Sequence, residues 1–167
     1  MSSRRTEIAQ SLVNILGTLT EIKTINYEQI KLLASDFSEY ELPVVQIVDL
    51  AEDSTHEMGK ALKTWNISLE IVIGPITSAN YVPKQSDLWD LLEKIERKIW
   101  SDPKLNISYV NQCTLLGSST DLHILAPLYT ARLDFQIIYY QPLARRVVVL
   151  FLQFLKHQFL PCLVSQA

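Results

Sequence analysis

The chain has 167 residues, of which 48% are apolar, 9% aromatic and 20% charged, a composition typical of folded globular proteins and unlike that of disordered, collagen-like or coiled-coil chains. The length predicts one main domain whose core is large enough to fold without disulfides. Fifteen basic and eighteen acidic residues give a formal charge of −3, so charge gives no reason to expect binding to nucleic acid or to an anionic membrane surface.

Cysteine usage and the N-terminal sequence indicate the cellular compartment. The two cysteines, Cys113 and Cys162, are far apart and have no companion pair, so neither a disulfide framework nor a zinc site is predicted. The first residues are polar and the apolar stretch after them is interrupted, so no secretory signal peptide is expected. These features predict a protein made in the cytoplasm.

The first predicted element is an amphipathic helix over residues 5–18. Ser3 precedes this segment and is a candidate for its N-cap. Apolar residues recur at helical spacing and predict one buried face, made of Ile8, Leu12, Ile15, Leu16 and Leu19.

Three strand candidates follow the first helix. Residues 24–30 are a weak candidate, and residues 43–50 include an apolar run typical of a strand covered on both faces. From Trp65 the sequence alternates between apolar and polar residues, which predicts a strand with one buried and one solvated face. Gly74 and Pro75 end this strand.

A second amphipathic helix is predicted between Ser86, its candidate N-cap, and the Asp102-Pro103 pair that ends it. Asp87 suits the positive end of the helix dipole. One apolar stripe is formed by Leu88, Leu91, Leu92, Ile95 and Ile99. The opposite face carries two acid-first pairs at i,i+4 spacing, Asp90 with Lys94 and Glu93 with Arg97.

Two more strands are predicted, over residues 107–116 and 131–139, the second from strict alternation. The order of elements predicts an α+β fold, a two-layer sandwich of a mixed, mainly antiparallel sheet with both helices packed on one face. We expect residues 1–141 to form this domain and residues 142–167 to be a basic, apolar C-terminal extension.

Charge is unevenly distributed along the chain. Residues 28–57 contain eight acidic residues and one basic residue, and the part around Asp53 is expected to form an exposed acidic loop between two strands. The extension contains three basic residues and no acidic one. Its apolar run is interrupted by Gln153 and Lys156, which argues against a membrane-spanning helix, so we expect it to pack on its own domain or on a neighbouring subunit.

Motifs for catalysis and for cofactor binding fail on spacing. Gly59-Lys60 lacks the first glycine and the hydroxyl of a Walker motif, and no dinucleotide-binding glycine pattern occurs. Asp53 and His56 are the nearest approach to a metal site, but an exposed acidic loop explains them more simply. No catalytic residue, metal or cofactor is therefore predicted, and the chain is not expected to be an enzyme.

Several segments together carry a resemblance to a known family. They are the helix at 5–18, "ELPVVQIVDL" at 41–50, "TWNISLEIVI" at 64–73, "LWDLLEKIERKIWSDPKLN" at 88–106 and "ARLDFQIIYYQ" at 131–141. In this order the chain resembles the tail terminator, or minor tail completion, proteins of long-tailed bacteriophages. It differs from that family at Asn106, where the family often has glycine, and residues 142–167 match no part of the pattern.

The resemblance implies a structural virion protein in the tail or neck, assembled in the host cytoplasm. The implied form is a homohexameric ring that caps the tail tube protein, ends tail polymerisation and presents a surface to the head-tail connector or neck protein. It implies no catalysis. The acidic segment and the basic extension have complementary charge, so we predict a subunit interface that contains Asp49, Glu52, Asp53, Glu57, Arg145 and Arg146.

Two alternative functions stay open. The chain could be a small-ligand-binding or regulatory α+β domain in which the acidic loop recognises a cationic ligand, and a ligand-dependent shift in melting temperature would favour this function. An enzyme of an unrecognised class that uses Asp53, His56 or Glu57 is the weaker alternative, because nothing in the sequence places a nucleophile beside a base.

Overall fold

The fold is described from a computed structural model. The structure describes residues 3–27, 31, 36–57, 60–75, 82–121 and 128–142. Its elements, in chain order, are α1 (Arg4–Leu16), β1 (Thr24–Asn26), β2 (Val44–Glu57), β3 (Lys60–Ile73), α2 (Gln85–Trp100), β4 (Val110–Asp121) and β5 (Tyr129–Pro142).

The strands form one five-stranded sheet in the order β1-β2-β3-β5-β4. The short β1 lies parallel to the start of β2, and all other neighbours are antiparallel. Both helices pack on one face of this sheet, which we call the inner face. The predicted α+β fold with a mixed, mainly antiparallel sheet is therefore confirmed.

Alternation along β3 and β5 produces the inner face. Every second residue of these strands points toward the helices, and Ile67, Leu69 and Leu133 are fully buried there. A smaller apolar cluster lies on the opposite, outer face and contains Leu42, Val44, Val72 and Leu128, with Phe37 packed against it. Burial on both faces holds the strand ends near Val44 between two apolar layers.

The two helices begin by different means. Ser3 caps α1 as predicted, because its Oγ accepts a hydrogen bond of 3.2 Å from the Thr6 backbone N–H. The predicted cap of α2 at Ser86 is wrong, since Lys84 is the N-cap residue and Ser86 lies inside the helix. The carboxylate of Asp87, at the third helical position, accepts from the Lys84 backbone N–H at 2.8 Å, which is the half of a capping box that satisfies the N-cap N–H.

The charged pairs predicted on α2 are partly formed. Arg97 donates to Glu93, as the i,i+4 spacing predicts. Lys94 instead forms an ion pair of 2.6 Å with Glu21, which follows α1. This contact joins the two helical segments rather than stabilising α2 alone.

Strand β2 is longer than the sequence predicted. The expected acidic loop around Asp53 is wrong, because the strand continues to Glu57 and pairs with β3 along its whole length. A β-bulge between Asp49 and Ala51 interrupts the register. The bulge breaks the period-2 pattern on which a strand prediction depends. The polar residues after it, from Ala51 to Glu57, therefore have the sequence pattern of a loop.

The turn after α2 uses left-handed backbone at two positions. Leu105 and Asn106 have φ values of 53° and 54°. Asparagine and glycine adopt this region at low cost, so Asn106 suits this backbone position. The buried Leu105 side chain closes the turn onto the core.

Residues 143–167 lie outside the described residues, so the predicted division into a domain at 1–141 and an extension at 142–167 stays a prediction. Neither α1 nor α2, the helices of the described part of the chain, has the length and apolar character needed to cross a membrane.

Candidate functional site

The four acidic residues of the predicted interface all lie on β2, and Asp49 and Glu52 point to a different face of the sheet from Asp53. Asp49 and Glu52 are opposite Ile67 and Trp65 of β3, and both carboxylates contact residues of the inner face. Asp53 is opposite Thr64 and is exposed. Glu57 is the last residue of β2. Arg145 and Arg146 lie outside the described residues.

Glu52 is the centre of a hydrogen-bonded cluster that joins three strands to α1. Its carboxylate accepts from Arg5 Nε at 2.6 Å, Lys63 Nζ at 2.7 Å and Tyr139 Oη at 2.8 Å. Only 10% of its side chain is exposed. Three donors at these distances satisfy the carboxylate within its own chain, so Glu52 has little capacity left for a partner.

Asp49 extends the same cluster. Its carboxylate accepts from Trp65 Nε1 at 2.7 Å and from Arg5 at 3.1 Å. The guanidinium of Arg5 also lies 5.9 Å from the centre of the Trp65 ring, within the range of a cation–π contact. Two carboxylates and one aromatic ring thus hold the first turn of α1 on the sheet.

Electrostatics of this cluster favour its ion-paired form. The hydrogen bond from Arg5 is the main reason that the pKa of Glu52 falls to about 2, with Lys63 and Tyr139 acting in the same direction against the effect of burial. Burial and the bond to Glu52 raise the pKa of Tyr139 to about 12, so its phenol stays a donor at neutral pH. These groups keep fixed charges and fixed protons, which suits a structural contact better than acid–base chemistry.

A second group of contacts joins the first turn of α1 to Tyr109 and Tyr140. The Arg4 guanidinium lies 4.0 Å from the centre of the Tyr109 ring and donates to the backbone carbonyl of Tyr140. The Tyr109 hydroxyl donates to Glu7 at 2.5 Å. The N-terminal turn of α1 is therefore tied to β5 and to the residue before β4, as well as to β2.

Asp53 and His56 do not form a site together. They lie three residues apart on one strand, so their side chains point to opposite faces of the sheet. Across the described ranges, no group of three or more His, Cys, Asp or Glu side chains could hold a metal ion. Cys113 is buried, and burial raises the pKa of its thiol to about 12, which suits a small apolar core residue and not a nucleophile.

A shallow cavity of about 230 Å³ lies between the end of β3 and the start of α2. It is lined by Glu21, Pro43, Ile73, Gly74, Asp87, Asp90, Leu91 and Lys94. The acidic part of β2 contributes none of these residues, and the volume is below the 300–1,000 Å³ common for small-ligand sites. The ligand-binding alternative therefore gains no support from this cavity.

The sheet has an open edge on each side, and sequence reasoning did not predict either of them. Within the described ranges, no strand pairs with β4 on the side away from β5, and none pairs with β2 beyond Gln46 on the side away from β3. Each edge carries an exposed leucine at a β-bulge, Leu50 on β2 and Leu116 on β4, with exposed fractions of 45% and 57%. Exposed apolar residues on an open edge favour pairing with another chain.

Comparison with known proteins gives a likeness in structure only. No family model matches the chain, and neither does any curated protein. Among solved structures, the chain is similar to a chain of the "Virion of native gene transfer agent (GTA) particle", with 9% identity and a TM-score of 0.49, over 80% of this chain and 92% of that chain. A likeness this weak carries no functional argument.

Proposed function

We propose that the chain is a structural virion protein of a long-tailed bacteriophage. In this role it caps the tail tube as a homohexameric ring, ends tail polymerisation and provides the surface for head-tail joining. The proposal takes the ring, its size and its position from the sequence resemblance. The geometry of the chain supports the capacity for ring assembly.

The observation that carries the proposal is the pair of open edges on opposite sides of one sheet. A contact between two different surfaces of the same chain is heterologous, and a heterologous contact closes into a ring when the rotation between copies is a whole fraction of a turn. A monomeric domain normally protects long edges with charge, proline or a covering segment. From Val110 to Thr120, β4 has no charged residue and no proline.

Charge on β2 supports a further contact with a basic surface. Asp53 is exposed and forms none of the ion pairs found among the described residues, whereas Asp49 and Glu52 are paired with Arg5. We therefore propose that Asp53 belongs to the intermolecular part of the acidic interface, and Glu57 stays a prediction from the sequence. Arg145 and Arg146 of a neighbouring copy are the proposed partners, because the extension is basic.

The experiment that tests the function is polymerisation of the phage's own tail-tube protein in the presence of increasing amounts of the full chain. We expect the mean tube length in electron micrographs to fall as the chain is added, with one ring at the end of each tube. Tube protein without the chain is the control. Unchanged tube lengths with no ring at the tube ends would contradict the proposal.

A further inference from the structure

We propose that the apolar run of the C-terminal extension, residues 147–155, docks on the side of α2 that carries Trp89 and Trp100 in the same copy of the chain. We call this surface the tryptophan flank, and it consists of Trp89, Glu93, Glu96 and Trp100. This docking goes beyond the proposed function, since it holds whether or not the chain forms a ring. Arg145 and Arg146 precede the run, so they stay available for the contact with a neighbouring copy proposed above.

Two large aromatic side chains are exposed on the tryptophan flank. Trp89 and Trp100 are 52% and 58% exposed, although α2 buries a complete apolar stripe against the sheet. They are eleven positions apart, about three helical turns, so they lie on one line along the helix with Glu93 and Glu96 between them. Two exposed tryptophans on one line form an apolar surface that another apolar segment can cover.

The tryptophan flank faces away from α1. Lys94 forms an ion pair with Glu21, which follows α1, and therefore marks the side of α2 that faces the first helix. At about 100° per residue, Trp89 and Trp100 lie beyond the buried stripe, each roughly 120–140° around the helix from Lys94. Since α1 and α2 are the helices of the described residues, no described helix covers this flank.

The extension begins near the end of the sheet where α2 connects to β4. The Pro103 carbonyl, just after α2, accepts from the Cys113 N–H at 2.7 Å. Cys113 is opposite Ile137, which is five residues before Pro142. Residues 143–147 are also five, so a chain that turns back after Pro142 brings the start of the apolar run level with Pro103 and the last turn of α2.

The length of the apolar run fits the flank. Trp89 and Trp100 are about 16 Å apart along the helix axis, because each residue adds about 1.5 Å. The run, residues 147–155, has nine residues, of which eight are apolar. It spans about 13 Å as a helix and up to about 30 Å when extended, so it can cover both tryptophans. A run of this kind needs an apolar partner to leave water.

Charge favours the extension over a second copy of the same flank. Glu93 and Glu96 lie between the two tryptophans, and Glu96 forms none of the ion pairs found among the described residues. Two flanks in contact would bring these carboxylates together, which is unfavourable. The extension contains three basic residues and no acidic one, and Lys156 directly follows the run.

Crosslinking in the full chain tests the docking and keeps both tryptophans. In a Cys162→Ser background, Glu96→Cys is combined in turn with one cysteine at each position of 148–153. With a short bifunctional thiol-reactive crosslinker, we expect at least one combination to give a bridged product of monomer mass. Lys98→Cys with the same positions is the matched control. It lies two residues from Glu96 but on the opposite flank, so it should react roughly tenfold more slowly or less.

Tryptophan fluorescence is an independent readout. We expect Leu150→Asp/Leu152→Asp, which places charges in the run, to shift the emission to the red and to increase quenching by acrylamide, because the flank is then exposed to water. In a Trp89→Phe/Trp100→Phe background only the buried Trp65 remains, and the same aspartates should leave its emission unchanged. Equal shifts in both backgrounds, or none in either, would overturn the docking.

The outcomes separate this docking from the proposed function. Crosslinked dimers as the main product of Glu96→Cys would place the run on a neighbouring copy and overturn docking within one copy. Equal crosslinking of Glu96→Cys and Lys98→Cys would overturn the choice of surface. Either result leaves the ring and its action on tail tubes in place, because the tube experiment tests these separately.

Discussion

Glu52 lies where α1 meets β2, β3 and β5, and its carboxylate accepts from one donor on each of α1, β3 and β5. Its pKa of about 2 is below the usual 4.5, so the charged form stabilises the fold fully above about pH 4.5 and progressively less as the pH falls toward 2. We expect Glu52→Gln to lower the free energy of unfolding at neutral pH by on the order of 3 kcal/mol. Denaturant titrations at several pH values measure this.

The pH profile is the more specific part of that prediction. Glu52→Gln should lose less stability between pH 5 and pH 2 than the unmodified chain, because the titrating group is gone. Asp53→Asn is the matched control on the next residue of the same strand, and it should change stability by less than about 0.5 kcal/mol. Equal losses of stability in Glu52→Gln and Asp53→Asn would contradict the stabilising role assigned to the cluster around Glu52.

At Asn106 the backbone conformation, more than any contact of the side chain, determines which residues the fold accepts. With φ at 54°, a residue with a Cβ other than Asn or Asp costs about 1–2 kcal/mol, so we expect Asn106→Ala to destabilise the fold by about 1 kcal/mol. Asn106→Gly should be neutral or slightly stabilising. Thermal melting of both variants decides this, and a greater loss for glycine than for alanine would contradict the assigned backbone.

Contacts between single residues were the least predictable feature of this chain. Arg5 and Glu52 are 47 positions apart, and nothing local to either residue indicates that they meet. The prediction that Asp49 and Glu52 belong to a subunit interface came from net charge along the sequence. Charge counts do not show which carboxylates are already neutralised by an arginine from another element.

Gly74 directly follows β3, where the chain passes close to the outer apolar cluster. A Cβ at this position would lie 2.4 Å from Leu128 Cδ2 and 2.8 Å from Leu42 Cδ1, and both leucines are buried. We expect Gly74→Ala to destabilise the fold by about 1–3 kcal/mol, because the side chains must move into a packed layer. Chemical denaturation measures the change.

Gly117 on the open edge of β4 is the matched glycine for that test. A Cβ there meets no atom within 4 Å. Gly117→Ala should therefore change stability by less than about 0.5 kcal/mol. If Gly117→Ala were the more damaging of the two, the packing assigned around Gly74 would be wrong.

The elements with strong periodicity were predicted well and those on the sheet edges were not. Both β3 and β5 alternate over nine residues, and α2 carries a continuous apolar stripe, so each was recognised with approximate bounds. Beyond Leu50, β2 forms an edge whose side chains are mostly solvated, so burial imposes no pattern on its sequence. For the same reason, the sequence pattern did not indicate that the last residues of β4 belong to a strand.

For the whole molecule, the arrangement of helices and sheet in two layers could be predicted from the sequence. Two amphipathic helices and several alternating strands have few ways to bury their apolar faces, and one sheet covered on one face is the simplest. Strand order was not predictable, because alternation indicates which face of a strand is buried and not which strand lies beside it. The open edges follow from strand order, so the surfaces proposed for assembly became visible only in the structure.

The central claim is that this chain works by docking onto copies of itself. Gel filtration with light scattering, run on the full chain over a concentration series with and without tail-tube protein, measures this most directly. We predict one assembly whose mass is a fixed multiple of the subunit mass, six in the proposed ring, and whose share of the protein rises with concentration. A single species at the monomer mass under all these conditions would contradict the claim.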